Sequence, residues 1–409
     1  MFAAAVLALS IVTPGCVGHL PPCPAAGGPA WTELQGSHFR LRTDLDPPAA
    51  RALLTDLEQF QAALLAVFGA PPDLDFGRIP AIAVDRGWTD FASRDVAGYF
   101  TRALFQPLVV IRTGTRLSDQ ILVRHELVHY LSRKIIRKQP AWLSEGLATY
   151  YETIEYAPDT GRITVGRPSS ERLSSAQTLG LSNIEKIFTA SEIDPDDAPG
   201  FYAAAWITTH YLMNHRLEAM FAYQKALRTG ATPEAAWTAA FGAETHAQLA
   251  AEVHRYLDGG QYALLIYRLP APNLPAPVER RLTDADAHAT RALLYLTGSG
   301  TRAVSPELAI KTDDPQLAAQ REVAEARRAQ PAHLMADAIA HFMLKTPVDL
   351  AQATLACKAS PDDWLAWLLL SEALEQSPDR GARQQALKRA ADLAGDDLSV
   401  ELHAERDEN

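Results

Sequence analysis

The sequence predicts an α+β fold followed by an all-α region. Three observations predict it. Strand and helix patterns are mixed between residues 30 and 258, helical periodicity alone fills 284–409, and a Gly/Pro-rich stretch at 259–283 separates the two. The 409 residues are 47% hydrophobic and 21% charged, as in a globular protein with a core, and the length suits two or three domains. The net charge of −11 argues against a nucleic-acid partner. After the N-terminus no stretch approaches the length of a membrane-spanning helix.

Residues 1–22 read as a targeting segment. Phe2 to Val12 is an apolar run too short to span a bilayer. Thr13-Pro14-Gly15-Cys16 then resembles the end of a bacterial lipoprotein signal, in which the Cys is lipidated. No Lys or Arg precedes the apolar run, and Thr13 stands where Leu is usual. The segment predicts export, to the periplasm or to a membrane through a lipid anchor on Cys16. The alternative is a buried N-terminal helix. Cys23 and Cys357 are far apart in sequence and predict no disulfide framework.

His38 to Thr43 alternates polar and apolar residues, the mark of a half-buried strand. Pro47 to Phe68 reads as an amphipathic helix with Leu53, Leu54, Leu57, Phe60, Leu64 and Val67 on its apolar face, ended by Gly69-Ala70-Pro71-Pro72. Ile79 to Val84 is a second strand. Ala97 to Thr101 and Leu108 to Ile111 are two more, with the turn expected near Gln106-Pro107.

The stretch Arg124-His125-Glu126-Leu127-Val128-His129 carries the chemistry. On a helix, His125 and His129 share one face, one turn apart. Two neutral imidazoles so spaced can hold one metal ion, usually zinc, in the H-E-x-x-H pattern. Glu126 is placed to act on a water rather than to bind the metal. The surrounding Ile121, Leu122, Val123, Leu127, Val128 and Leu131 predict a buried helix, in which two His and a Glu need partners. A metal supplies them. The alternative is a buried helix whose His side chains bond to the backbone. Catalytic zinc has three protein ligands, and the third is sought in Pro140-Ala141-Trp142-Leu143-Ser144-Glu145-Gly146-Leu147-Ala148-Thr149-Tyr150. A helix from Pro140 to about Tyr151 could cross the first and aim Glu145 at the metal, with Gly146 allowing the two helices to approach. The alternatives are a solvated surface Glu145, with Glu152 as the next ligand candidate.

These residues, H-E-L-V-H followed by P-A-W-L-S-E-G-L-A-T-Y-Y, resemble the gluzincin metallopeptidases, in particular the peptidase MA-like family of bacterial envelope proteins. The resemblance is specific at 121–151 and thinner over the rest of 30–258. It implies a thermolysin-like (zincin) catalytic domain, with a small N-terminal sheet above the metal-site helix and a helical lower lobe. It implies His125, His129 and Glu145 as ligands of one Zn2+ and Glu126 as general base. It also implies an edge strand that binds the backbone of a peptide or protein substrate, for which Gly98 to Thr101 is the candidate. Gly98 would leave room for a second backbone; an internal strand without substrate contact is equally open. Such relatives often carry a Tyr at the start of a later helix, where a phenol can donate to an oxyanion. Tyr202 is the matching position, and His210 competes less well.

Thr153–Tyr156 and Arg162–Val165 read as a hairpin, and helices are expected at 201–212, 217–228, 233–241 and 245–257. Beyond the 259–283 linker, helical spacing recurs at 284–297, 315–329, 332–344, 348–358, 362–376 and 380–394, broken by prolines. Short helices joined by Pro turns suggest hairpins in the style of tetratricopeptide repeats, although no clean 34-residue period is present. This region could bind an envelope protein partner or brace the catalytic domain. The functional expectation is zinc-dependent peptide-bond hydrolysis in the cell envelope. The alternative is an idle, metal-loaded scaffold that works through its C-terminal helices.

Overall fold

The structure is a computed structural model and describes residues 19–70, 76–94, 96–113, 117–179, 184–190, 193–194, 197–268, 274–302, 314–375 and 377–394. Its strands are β1 (Thr32–Gln35), β2 (Phe39–Thr43), β3 (Ile79–Val84), β4 (Gly98–Ala103), β5 (Gln106–Arg112), β6 (Glu155–Ala157), β7 (Arg162–Val165), β8 (Leu265–Arg268) and β9 (Val278–Arg281). The helices of the first part are α1 (Pro47–Phe68), α2 (Leu117–Ile135), α3 (Ala141–Tyr151), α4 (Ser170–Leu179), α5 (Ile184–Ile187), α6 (Ala198–His215), α7 (Leu217–Arg228), α8 (Pro233–Phe241) and α9 (His246–Gly259). Then come α10 (Asp284–Arg302), α11 (Pro315–Ala329), α12 (Leu334–Ala338), α13 (Leu350–Ala359), α14 (Trp364–Ala373) and α15 (Arg380–Ala394), with a π-helical turn at Ile339–Met343. The fold is mixed α+β, as expected.

Six strands form one mixed sheet in the order β4-β5-β3-β2-β1-β9. β2, β3 and β5 run parallel, and β4, β1 and β9 are antiparallel to their neighbours. A parallel pair needs a crossover, and α1 makes it between β2 and β3. The Asp46 side chain caps α1 by accepting from the Ala49 N–H, and Gly69, left-handed at φ 60, ends it. Side chains alternate across the sheet. Phe39, Leu41, Ile79, Ala81, Ala83, Val109 and Ile111 pack with α1, α2, α3 and α6. Ile82, Val84, Leu108 and Val110 pack on the opposite side with α10, α11 and α12.

That second layer departs from expectation. The stretch read as a linker supplies a strand to each sheet: β9 extends the large one beside β1, and β8 joins the hairpin β6/β7. Three parallel strands with apolar residues on both faces need cover on both, and α10 to α12 supply it. The same burial changes β2, whose polar side was expected to face water.

His19 to Pro22, the end of the expected targeting segment, lie on the folded body. Leu20 is buried and its N–H donates to Asp90 Oδ2 at 2.6 Å. Cys16 lies outside the described residues. Cys23 and Cys357 are both free, in different parts of the fold.

The β4/β5 turn sits at Leu104-Phe105, not near Gln106-Pro107, because Pro107 pairs across the ladder with Arg102. Both turn residues have positive φ, 47° and 66°, a costly conformation for non-glycines. Packing offsets the cost: Phe105 meets Phe342 edge-on at 4.9 Å and lies 6.4 Å from Trp364.

Candidate metal centre

Helix α2 packs against β4 on one side and α3 on the other. Val123, Leu127, Val128 and Leu131 are buried, which leaves His125 and His129 on the remaining face. Arg124 fixes this turn of the helix. Its guanidinium donates to Asp56 at 3.1 and 3.2 Å and to the Ile154 carbonyl at 3.2 Å, and it lies 5.3 Å over the Phe60 ring.

Helix α3 brings Glu145 to the two histidines. The carboxylate Oε2 lies 3.4 Å from His125 Nε2 and 3.2 Å from His129 Nε2, and the two nitrogens are 3.1 Å apart. A tetrahedral ion with bonds of about 2.0–2.1 Å separates its ligand atoms by about 3.4 Å. The three atoms therefore outline a face of such a tetrahedron, and the residues present fit a small divalent cation.

The outer ring nitrogens are also engaged. His125 Nδ1 donates to Glu152 Oε2 at 2.7 Å, and His129 Nδ1 to Ser144 Oγ at 3.0 Å. With Nδ1 donating outward, each Nε2 points at the centre, the arrangement expected around a metal site. Burial opposes charge on His125, but the hydrogen bonds it donates to Glu145 and Glu152 outweigh it and raise its pKa to about 9, so a metal ion would take the place of the Nε2 proton. Burial likewise opposes charge on Glu145, yet the two histidines hold its pKa down at about 2. The cluster is built to hold positive charge.

Glu152 is thus not a ligand candidate but the partner of one. It lies seven residues after Glu145, on the same face of the chain two turns on, which is the signal that pairs them. Nothing local in the sequence marks Ser144. The alternative of a solvated Glu145 does not hold, since its carboxylate faces both imidazoles at 3.4 and 3.2 Å. Gly146 does make a helix approach, but toward α6 rather than α2. A Cβ there would lie 2.0 Å from Thr209 Oγ1 and 2.7 Å from the Ala205 carbonyl oxygen.

Tyr202, in the first turns of α6, is half-buried near the cluster. Burial raises its pKa first, then the charge of Glu145; Glu126 adds to the rise and Arg172 opposes it. The Arg172 guanidinium, from α4, sits 5.4 Å over its ring. Neither α4 nor Arg172 was legible in the sequence. His210 is engaged elsewhere: its Nε2 donates to the Gly166 carbonyl at 2.8 Å, and its Nδ1 lies 2.8 Å from the Tyr256 hydroxyl. The space at Gly98 is filled by Val123, whose Cγ2 would stand 2.5 Å from an added Cβ. Gly98 therefore seats α2 against β4 and leaves no gap there for a second backbone.

A second group among the described residues, Cys23, His288 and Glu322, also has metal-ligand spacing. Here His288 Nδ1 is 2.6 Å from Glu322 Oε2, too close to share an ion, and Arg291 donates to the same carboxylate at 2.8 Å. The Arg291 guanidinium also donates to the Pro21 carbonyl. This is a hydrogen-bonded clasp that pins the N-terminal segment to α10 and α11.

Fold and site together define an α+β protein in which crossed helices bring two His and one Glu to metal-ligand spacing. Residues 121–232, which include all of that centre, match the family described as a protein of unknown function (DUF1570). No curated protein matches the chain.

Proposed function

We propose that this protein is a zinc-dependent peptidase of the gluzincin type, acting in the cell envelope. The observation that carries the reading is the triangle of His125 Nε2, His129 Nε2 and Glu145 Oε2, with Glu126 in the same turn of helix as the first ligand. Structural zinc sites are usually closed and Cys-rich, whereas three ligands with a position left open suit catalysis. A zinc ion held here supplies a Lewis acid and lowers the pKa of water toward ~7.

The remaining work falls to this chain's own groups. Glu126 accepts the proton of the attacking water and returns it to the leaving amine. Glu152 and Ser144 hold the two imidazoles in the ligating tautomer. Tyr202 keeps its phenolic proton because burial and two carboxylates raise its pKa, so it can donate to a developing oxyanion. β4 is an edge of the six-stranded sheet and packs on α2, which leaves one side of its backbone for a substrate strand.

In this reading the first part is a thermolysin-like domain and the C-terminal helices are repeat-like hairpins. Export and a lipid anchor at Cys16 complete it. Among the described residues no helix is long and apolar enough to cross a membrane. Packing of α10 to α12 on the sheet favours a bracing role for at least that part of the helical region.

The test compares wild type with Glu126→Gln on an unbiased peptide library, with zinc measured in both. Cleavage by wild type is expected to fall by on the order of 10²–10⁴ in the zinc-replete variant. Equal cleavage by both would remove Glu126 from the mechanism. No cleavage by either would favour the scaffold reading.

A further inference from the structure

The polar side of β2 holds a cation without a counter-charge. Phe39 and Leu41 face α1, so Arg40 and Arg42 face the layer of C-terminal helices. On β3 and β5 that face carries Ile82, Val84, Leu108 and Val110. Two arginines there are costly unless paired.

Arg42 is paired. It donates to Glu33 Oε2 at 2.7 Å, to Thr290 Oγ1 at 3.3 Å and to Met335 Sδ at 2.9 Å. Arg280 takes Asp286 at 2.9 Å and Glu33 at 3.3 Å, and His333 lies 3.2 Å from Asp286. Glu33 and Asp286 are thus already engaged. Asp363 caps α14 by accepting from the Leu365 N–H. Among the described residues no group gives the Arg40 guanidinium a hydrogen bond or an ion pair. Glu33 and Asp363 act on it only through the longer-range field, while burial and the charge of Arg42 work against its proton.

Arg40 lines a cavity of about 510 Å³ between the sheet and helices α10 to α14. Its walls are about half apolar, with Ile82, Leu293 and Trp364, and half polar, with Gln106, Gln330 and Asp363. Cavities that take small molecules have this size and set fixed polar groups beside apolar wall. We propose that this cavity binds a small organic anion with an apolar body, its carboxylate or phosphate paired with Arg40. A guanidinium suits either head group, because its fork of N–H donors matches two oxygens at once. The site lies across the sheet from the metal centre and does not depend on the peptidase reading.

The test uses the full chain and three probes: inorganic phosphate, octanoate and octyl phosphate. Binding is followed by calorimetry and by the shift in melting temperature. Saturable binding of octanoate or octyl phosphate, tighter than that of phosphate alone, is expected. Affinity should fall at least tenfold in Arg40→Gln, with a smaller loss in Arg40→Lys, which keeps the charge but not the fork. Tight binding of phosphate alone would identify a free anion as the occupant and overturn the apolar-body part. Without ligand, Arg40→Gln should melt at or above the wild-type temperature, since no internal partner is lost. A lower melting temperature, no saturable binding by any probe, or undiminished binding in Arg40→Gln would overturn the proposal. Should the Gln variant fail to fold, the Lys variant alone decides it.

Discussion

His125 is held from two sides, by Glu145 at Nε2 and Glu152 at Nδ1, and the two carboxylates have different work. Glu145 faces the centre and would contribute ligand charge to an ion there. Glu152 is 2% exposed and only orients the ring. Glu152→Gln keeps the shape and one hydrogen-bond acceptor but removes the charge, so zinc affinity should fall about 10–100-fold with the fold intact. Competition with a chelating dye measures this, and an unchanged affinity would mean that the ring needs no such support. That His125 and His129 meet was legible because i, i+4 spacing on a helix is local geometry. Glu145 could be placed because a Trp, a Gly and a Pro-capped helix follow closely. Ser144 was not legible, since its contact with His129 depends on how α2 and α3 cross, and no local pattern fixes that.

The crossing of α3 with α6 sets the position of Glu145. Gly146→Ala would place a methyl 2.0 Å from Thr209 Oγ1 and 2.7 Å from the Ala205 backbone oxygen. The backbone contact cannot be relieved by a rotamer change, so the helices must separate. A loss of about 1–3 kcal/mol in unfolding free energy is expected, with weaker zinc binding as Glu145 moves; chemical denaturation and metal titration of the variant measure the two. On the same helix α6, His210 is buried and neutral. Burial first holds its pKa down at about 4 against an ordinary 6.5. The unfolded chain therefore binds its proton first, and stability should fall as pH drops from about 6.5 to about 4, by up to roughly 3 kcal/mol. A His210→Gln variant should be less stable at pH 7 yet show a flatter profile across that window in denaturant titrations. Most helices and the strands β2 to β7 were legible from periodicity, α1 and β3 to the residue, whereas β1, α4, β8 and β9 were not. The β4/β5 turn was not, because a non-glycine pair at positive φ is chosen by the packing of Phe105 rather than by turn chemistry.

At the scale of the molecule, composition misplaced a boundary. Glycines and prolines at 259–283 read as a linker, yet both ends of that stretch form strands, and α10 to α12 complete the core behind the sheet. Sequence periodicity shows that a helix has an apolar face but not which surface it covers. A fragment ending at residue 258 would lose β8 and β9 and bare Ile82, Val84, Leu108 and Val110. It should be insoluble or lack a cooperative thermal transition, whereas a soluble, cooperatively melting fragment would show that the first part stands alone. The proposed chemistry stands or falls with the metal, which elemental analysis of the purified protein detects. About one zinc per chain is expected in wild type, retained in Glu126→Gln and lost in His125→Ala and His129→Ala variants that remain folded by circular dichroism. Full zinc retention in both His variants, or a wild type that takes up no zinc when it is supplied, would contradict it.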